Sequence, residues 1–230
     1  MQSDESVRLN KLLAEELGVS RREADGLIER GHVTLNGAQA VLGSRVKRGK
    51  DTVAVDGTPV RTLLHTFTYI LFHKPTGYVC SRRQQGEVPT IYSLLPKAYK
   101  SFKPVGRLDK DSSGLLLLTD DGDFAHRMTH PSFAKVKRYE VRLNTPLAPL
   151  HQQMLNEHGI LLPDGPSKFQ VSRLDEGGYE VIMKEGRNRQ IRRTFAALGY
   201  EVTGLHRTHF GPYSLAGLQM GQSANTTLLS

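Results

Sequence analysis

The sequence predicts an α+β chain. A small N-terminal domain of two helices and short strands precedes a larger domain built on a mainly antiparallel mixed sheet flanked by helices. Three observations carry this. Helical and strand-like segments alternate without a regular βαβ rhythm, which argues against a doubly wound parallel sheet. Of the 31 basic and 23 acidic residues, 9 and 9 lie in residues 1–60, so the whole net charge of +8 falls beyond residue 60. Tight-turn pairs, Asn36-Gly37 and Asp56-Gly57, sit beside short alternating apolar runs and read as hairpins. The expected boundaries are 7–60 for the small domain, 61–67 for a linker and 68–222 for the larger domain.

In the small domain, Leu9, Leu12, Leu13 and Leu17 recur at helical spacing and Gly18 ends the helix. A second helix opens at Ser20, where Ser20 and Glu23 form a capping-box pattern, each able to satisfy an orphan backbone N–H. Ala24, Leu27 and Ile28 give its apolar face. Val33 and Leu35, then Val53 and Val55, alternate as strands.

In the larger domain, residues 68–73 read as an apolar strand, Lys74 to Gly77 as a turn, and 78–80 as a resumed strand. Residues 115–119 form a leucine-rich buried strand, closed by Asp120-Asp121-Gly122. Helices are expected over 124–130, 149–158 and 189–198, with strands over 139–143 and 179–183. The polar stretch 222–230 reads as a short tail.

A pI near 9.6 favours a polyanionic partner. One cysteine, Cys80, excludes a disulfide framework and a multi-cysteine metal cluster, and fits a cytoplasmic setting. The polar start of the chain is unlike a signal peptide, and no apolar run approaches a membrane span. His126 and His130 share a helix face without a third ligand, and Asp120 to Asp123 lacks the late glutamate of a calcium loop, so no metal is expected. No phosphate loop, dinucleotide fingerprint or zinc-ligand set is found, and no cofactor is expected.

The most informative stretch is G-R-L-D-K-D-S-S-G-L-L-L-L-T-D-D-G-D, residues 106–123. It places one carboxylate, Asp109, in a glycine-bounded loop with Arg107 two residues before it. Together with H-K-P-T-G-Y-V-C-S, K-R-Y-E-V and E-G-R-N-R-Q-I-R-R, in that order, it resembles the bacterial rRNA pseudouridine synthases, in the branch that modifies small- or large-subunit rRNA at single sites. The run from Leu9 to Gly37 resembles the RNA-binding module of a ribosomal small-subunit protein. There, Arg21, Arg22 and Arg30, with Arg45, Lys47, Arg48 and Lys50, are the residues that would meet RNA phosphate.

The resemblance implies a cofactor-free isomerase. It makes Asp109 the nucleophile, acting at the base or at the sugar. Tyr139 becomes the ring that stacks on the flipped uracil, and Arg192 the cation set against Asp109, with Arg193 as the competing assignment. Arg107 would help extrude the uridine, at a cost of about a few kcal/mol. Arg187 and Arg189 would meet phosphate. Lys74, Pro75 and Gly77 would serve as scaffold. The expected partner is ribosomal RNA or a pre-ribosomal particle, with no membrane, and the chain is expected to be a monomer. Two other readings compete. A non-catalytic RNA-binding or ribosome-assembly protein would have no need of the Asp109, Tyr139 and Arg192 set. A glycosidase pairing Asp109 with Asp111 fails because both sit in one loop, too close to flank a sugar at about 5 Å or more.

Overall fold

The two apolar helical repeats near the N-terminus close a small core of their own. The computed structural model describes residues 6–61, 66–83, 86–175, 177–215 and 217–229, and divides the chain into two compact units, 1–66 and 67–230. In the first unit the helix Leu9–Leu17 ends on Gly18 in the left-handed region (φ 70°), and Arg21–Glu29 starts from the Ser20–Glu23 capping box. Leu9, Leu12, Leu13, Ala24, Ile28, Val33 and Val53 are buried together, whereas Leu17 is exposed. Four short strands, Val33–Leu35, Ala38–Gln39, Val53–Val55 and Thr58–Val60, form an antiparallel sheet. Its two hairpins turn at Asn36-Gly37 and Asp56-Gly57, all four at positive φ, as the mirror-image hairpin turn requires. Residues 62–65, which cover most of the expected linker, lie outside the described residues.

The second unit is built on a nine-stranded sheet among the described residues. Its principal strands run in the order Gln170–Arg173, Tyr179–Met183, Lys137–Leu143, Val202–Phe210, Ser113–Thr119, Tyr69–Lys74, Ser223–Thr226, with Lys103–Val105 and Tyr213–Ser214 as side branches. The pairing of Val202–Phe210 with Ser113–Thr119 is parallel; the others are antiparallel. The leucine run is buried on both faces of the sheet. Leu115 and Leu117 pack with Phe124 and Met128 of the helix Gly122–Thr129, while Leu116 and Leu118 pack with Ile91 and Leu95. A strand covered on both sides reads as a continuous apolar run rather than as an alternation.

The helix Gln190–Ala197 lies over the other half of the sheet, where Ile191 and Phe195 join Tyr139, Val141, Val181 and Leu205 in the largest core. Asp121 caps the helix Gly122–Thr129, accepting from Asp123 N and Phe124 N at 3.0 Å each, so the aspartate cluster after the leucine run is a strand-ending turn.

Three sequence expectations change. The Val202–Phe210 strand, central to the sheet, was not expected. Residues 78–80 form only an isolated bridge between Val79 and Thr90. The C-terminal stretch expected as a tail supplies the edge strand Ser223–Thr226 on Tyr69–Lys74. Among the described residues no helix is long and apolar enough to cross a membrane.

Candidate active site

The loop from Gly106 to Ser112 leads into the Ser113–Thr119 strand and is held by a buried lysine. Lys74 is fully buried, and its Nζ donates to the carbonyl oxygens of Pro75 (3.0 Å), Asp109 (3.0 Å) and Ser112 (2.7 Å). An ammonium has three N–H donors and no acceptor, so three carbonyls satisfy it. Gly77 N adds a bond to Lys110 O at 2.8 Å. Burial lowers the Lys74 pKa from its ordinary value, while Cys80, Asp109 and Asp111 oppose that fall.

Asp109 opens into a cleft of about 280 Å³ lined by Arg107, Tyr139, Lys137, Arg189, Arg207 and Phe210 among others. The Asp109 side chain is 31% exposed, and Arg189 Nη1 approaches its Oδ2 at 3.6 Å and Asp111 Oδ2 at 3.9 Å. Arg189 is the N-cap of its helix in the left-handed region (φ 47°), a conformation disfavoured for an L-residue by about 1 kcal/mol or more. Tyr139 is 7% exposed and stands on the Lys137–Leu143 strand. Arg107 is exposed at the cleft and forms no ion pair with Asp111.

The arginines of E-G-R-N-R-Q-I-R-R separate differently from expectation. The cation approaching the Asp109 carboxylate is Arg189. Arg192 instead donates to the carbonyls of Val202 (2.7 Å) and Asp111 (2.8 Å), tying its helix to both the neighbouring strand and the Asp109 loop. Spacing explains this: Arg192 is one turn inside the helix, facing backbone, whereas Arg189 sits at the helix start beside the loop. Burial lowers the Arg192 pKa, with Arg189 acting the same way and Asp109 and Asp111 against it. Arg193 is held by Asp164, at 2.9 and 2.8 Å to the two carboxylate oxygens.

Arg187, expected at phosphate, donates to the carbonyls of Asp164 (2.8 Å), Gly165 (3.1 Å) and Pro166 (2.7 Å), so its guanidinium clamps a hairpin turn. Gln190, buried, accepts from Arg187 N at 3.0 Å and donates to Ser167 Oγ at 3.0 Å, fixing the same turn against the helix.

Sequence reasoning missed two cleft residues. Arg207 lies on the unexpected strand and is 2% exposed. Lys137 donates to Glu185 O at 3.2 Å and stands 5.4 Å from the Phe210 ring centroid; burial, and then Arg207, lower its pKa. The K-R-Y-E-V segment contained Lys137 two residues from Tyr139, so strand periodicity could have placed both on one face.

In the first unit, Arg22 is exposed, and Arg21 Nη2 donates to Asn10 Oδ1 at 3.1 Å. Arg48 differs from expectation: its guanidinium is mostly buried and paired with Glu15 and Glu16, which removes it from the residues free to meet phosphate.

A carboxylate in a basic cleft beside a buried tyrosine, on a mixed sheet, suits an anionic substrate. Residues 68–197 match the family described as RNA pseudouridylate synthase, and residues 7–53 match the S4 domain. The chain belongs to the RNA pseudouridylate synthase family, the isomerases that turn uridine in RNA into pseudouridine. It is 38% identical over 216 residues to ribosomal small subunit pseudouridine synthase A of Pasteurella multocida (strain Pm70), spanning 91% of this chain and 90% of that protein. It is 36% identical to dual-specificity RNA pseudouridine synthase RluF of Escherichia coli (strain K12), over 99% of this chain and 78% of the relative. A solved structure of a pseudouridylate synthase superposes with a TM-score of 0.68 at 34% identity, covering 96% of each chain.

Proposed function

We propose that this chain isomerises a single uridine of ribosomal RNA, free or in a pre-ribosomal particle, as a cytoplasmic monomer. In this reading residues 7–60 grip the RNA, with Arg21 and Arg22 against phosphate, and residues 68–222 carry the chemistry. The observation that carries it is the convergence of Asp109, Tyr139 and Arg189 on one basic cleft in a chain of this family. The ribosomal small subunit relative, at 38% identity over nearly the whole chain, supports ribosomal RNA as the substrate.

The uridine leaves its stack and enters the cleft, with Arg107 at the rim to fill the space it vacates. Tyr139 stacks on the uracil and lies near the carbon that must lose a proton. The Asp109 carboxylate supplies the electron pair that lets the C1′–N1 bond break. Arg189 holds that carboxylate in position, and Arg192 acts as a positioning residue through the Asp111 carbonyl and its helix. The base turns, C5 bonds to C1′ as Asp109 is released, the C5 proton leaves and N1 takes up a proton. Reactant and product are isomers, so no co-substrate is consumed.

The test is pseudouridine mapping of total rRNA from cells with and without the gene, by carbodiimide-dependent reverse-transcription stops. Loss of one stop, restored by the wild-type gene and not by Asp109→Ala, supports the reading. An unchanged map removes ribosomal RNA as the substrate.

A further inference from the structure

We propose that Arg207 is the residue that binds a carbonyl oxygen of the flipped uracil and stabilises the base as an anion while it is detached from the ribose. The proposal rests on the uridine-isomerising reading above and extends it to a residue outside the Asp109, Tyr139 and Arg189 set.

Arg207 stands directly opposite Tyr139 in the pairing of the Lys137–Leu143 and Val202–Phe210 strands. Cross-strand partners are close neighbours on one face of a sheet, with Cβ atoms about 4.5–5.5 Å apart. The register shifts between Arg138 and Tyr139, because Arg138 faces His209 while Tyr139 faces Arg207. Such a bulge re-aims side chains and often sits beside a site. Arg207 thus lines the same cleft as Tyr139 and Asp109.

Its guanidinium is held but incompletely satisfied. Nε donates to Leu115 O at 2.8 Å, and the group lies 4.8 Å from the centroid of the Phe210 ring. Neither terminal nitrogen has an acceptor among the described residues, and Nη2 is buried without a partner. No carboxylate forms an ion pair with it among the described residues. An arginine that is 2% exposed, fixed through Nε and unpaired at its terminal nitrogens, is a preorganised donor on the lining of the cleft.

The reaction supplies that acceptor. When the C1′–N1 bond breaks, its electron pair stays on N1, and the charge spreads to O2 and O4 of the uracil. Asp109 balances the ribose, by bonding to C1′ or by taking the C2′ proton. When C5 bonds to C1′, Asp109 gives up its bond to C1′ or returns the proton to C2′, and the base is neutral again; the C5 proton then leaves as N1 gains one. A cation at either oxygen stabilises the state in which the base is separate. A backbone phosphate is the other anionic oxygen an arginine could meet. Burial of Arg207 beside Tyr139 favours the base, since phosphates stay on the strand at the rim, where Arg107 is exposed.

The experiment uses the full chain and an rRNA fragment that the wild type converts. The target position carries uridine, 2-thiouridine or 4-thiouridine, since sulfur is a weaker hydrogen-bond acceptor than oxygen. Single-turnover product formation and RNA affinity are measured for wild type, Arg207→Lys and Arg207→Met. The expected result is a fall of about 10²-fold in rate for both variants with affinity within about twofold of wild type. One of the two sulfur substitutions slows the wild type and has little further effect on Arg207→Lys. Two results overturn the proposal: neither substitution slows the wild type, a result that needs no variant to fold, or the sulfur effect is equal in wild type and Arg207→Lys. A loss of RNA affinity in Arg207→Lys, with the rate at saturating RNA unchanged, assigns the arginine to phosphate instead. If the wild type converts no uridine in any rRNA fragment, it is the parent reading that fails.

Discussion

The ammonium of Lys74 lies 3.0 Å from the carbonyl oxygen of Asp109, a buried cation clamped to the main chain of the residue whose carboxylate faces the cleft. Lys74→Met removes all three donors and leaves the Pro75, Asp109 and Ser112 carbonyls without them. Buried acceptors left unpaired cost about 1–3 kcal/mol each, so a loss of at least about 2 kcal/mol is expected in urea denaturation. Turnover is expected to fall with it, because the Asp109 loop loses its anchor. Unchanged stability would show that the clamp contributes nothing.

Arg189, expected at phosphate, stands where Arg192 was expected, against Asp109, while Arg192 ties its helix to Val202 and the Asp109 loop. Arg189→Gln is expected to leave the melting temperature near wild type, since the side chain is 44% exposed, and to lower kcat by about 10²-fold through Asp109. Arg192→Gln removes bonds to Val202 O and Asp111 O, and is expected to lower both stability, by about 1–3 kcal/mol, and turnover. The reverse pattern of stability losses would contradict this division.

Gly114 admits no side chain. A Cβ there would fall 2.2 Å from Arg207 O and 2.4 Å from Arg207 N, and its φ is +110°. The parallel pairing of Gly114 with Arg207 needs this close approach. Gly114→Ala is expected to cost more than about 4 kcal/mol or to prevent folding. Gly177→Ala, where nothing lies within 4 Å among the described residues at φ +85°, is the control and is expected to cost about 1 kcal/mol. Equal costs in chemical denaturation would show that the strand contact is not what excludes a side chain.

His206 links stability to pH. Burial, and then the neighbouring His73, hold its imidazole below the ordinary value of 6.5, with Glu140 opposing. Its Nδ1 lies 2.9 Å from Ser113 Oγ, and the His73 ring centroid is 5.2 Å away. As pH falls through about 6.5 the unfolded chain takes up a proton that the folded chain refuses, so stability from this group is present above that pH and lost below it. Urea unfolding at about pH 7.5 and about pH 5.5 is expected to show a smaller drop for His206→Gln than for wild type. An equal drop would assign the acid sensitivity elsewhere.

The readable parts of this chain were those in which local chemistry and tertiary role agree. The Ser20–Glu23 box, the Asn36-Gly37 turn and the leucine run each announce one structure, and each forms it. The Val202–Phe210 strand was hidden because its pattern is broken. Register shifts at two points interrupt its alternation, and the buried Arg207 puts a charge where a core residue is expected. The arginine cluster was ambiguous for another reason. Sequence spacing places four guanidinium groups near one helix start, but which one reaches Asp109 depends on the left-handed turn at Arg189 and on carbonyls supplied by distant segments. The edge strand Ser223–Thr226 is polar and partly exposed, so only its pairing with Tyr69–Lys74 identifies it.

The most direct test of the central claim is isomerisation by purified protein of an rRNA transcript tritiated at C5 of uridine, since bonding of C5 to the ribose must release that hydrogen. The expected result is tritium release by the wild type with no added metal or cofactor, and none by Asp109→Ala, which still binds the RNA. Release by Asp109→Ala at the wild-type rate would contradict the assignment of Asp109.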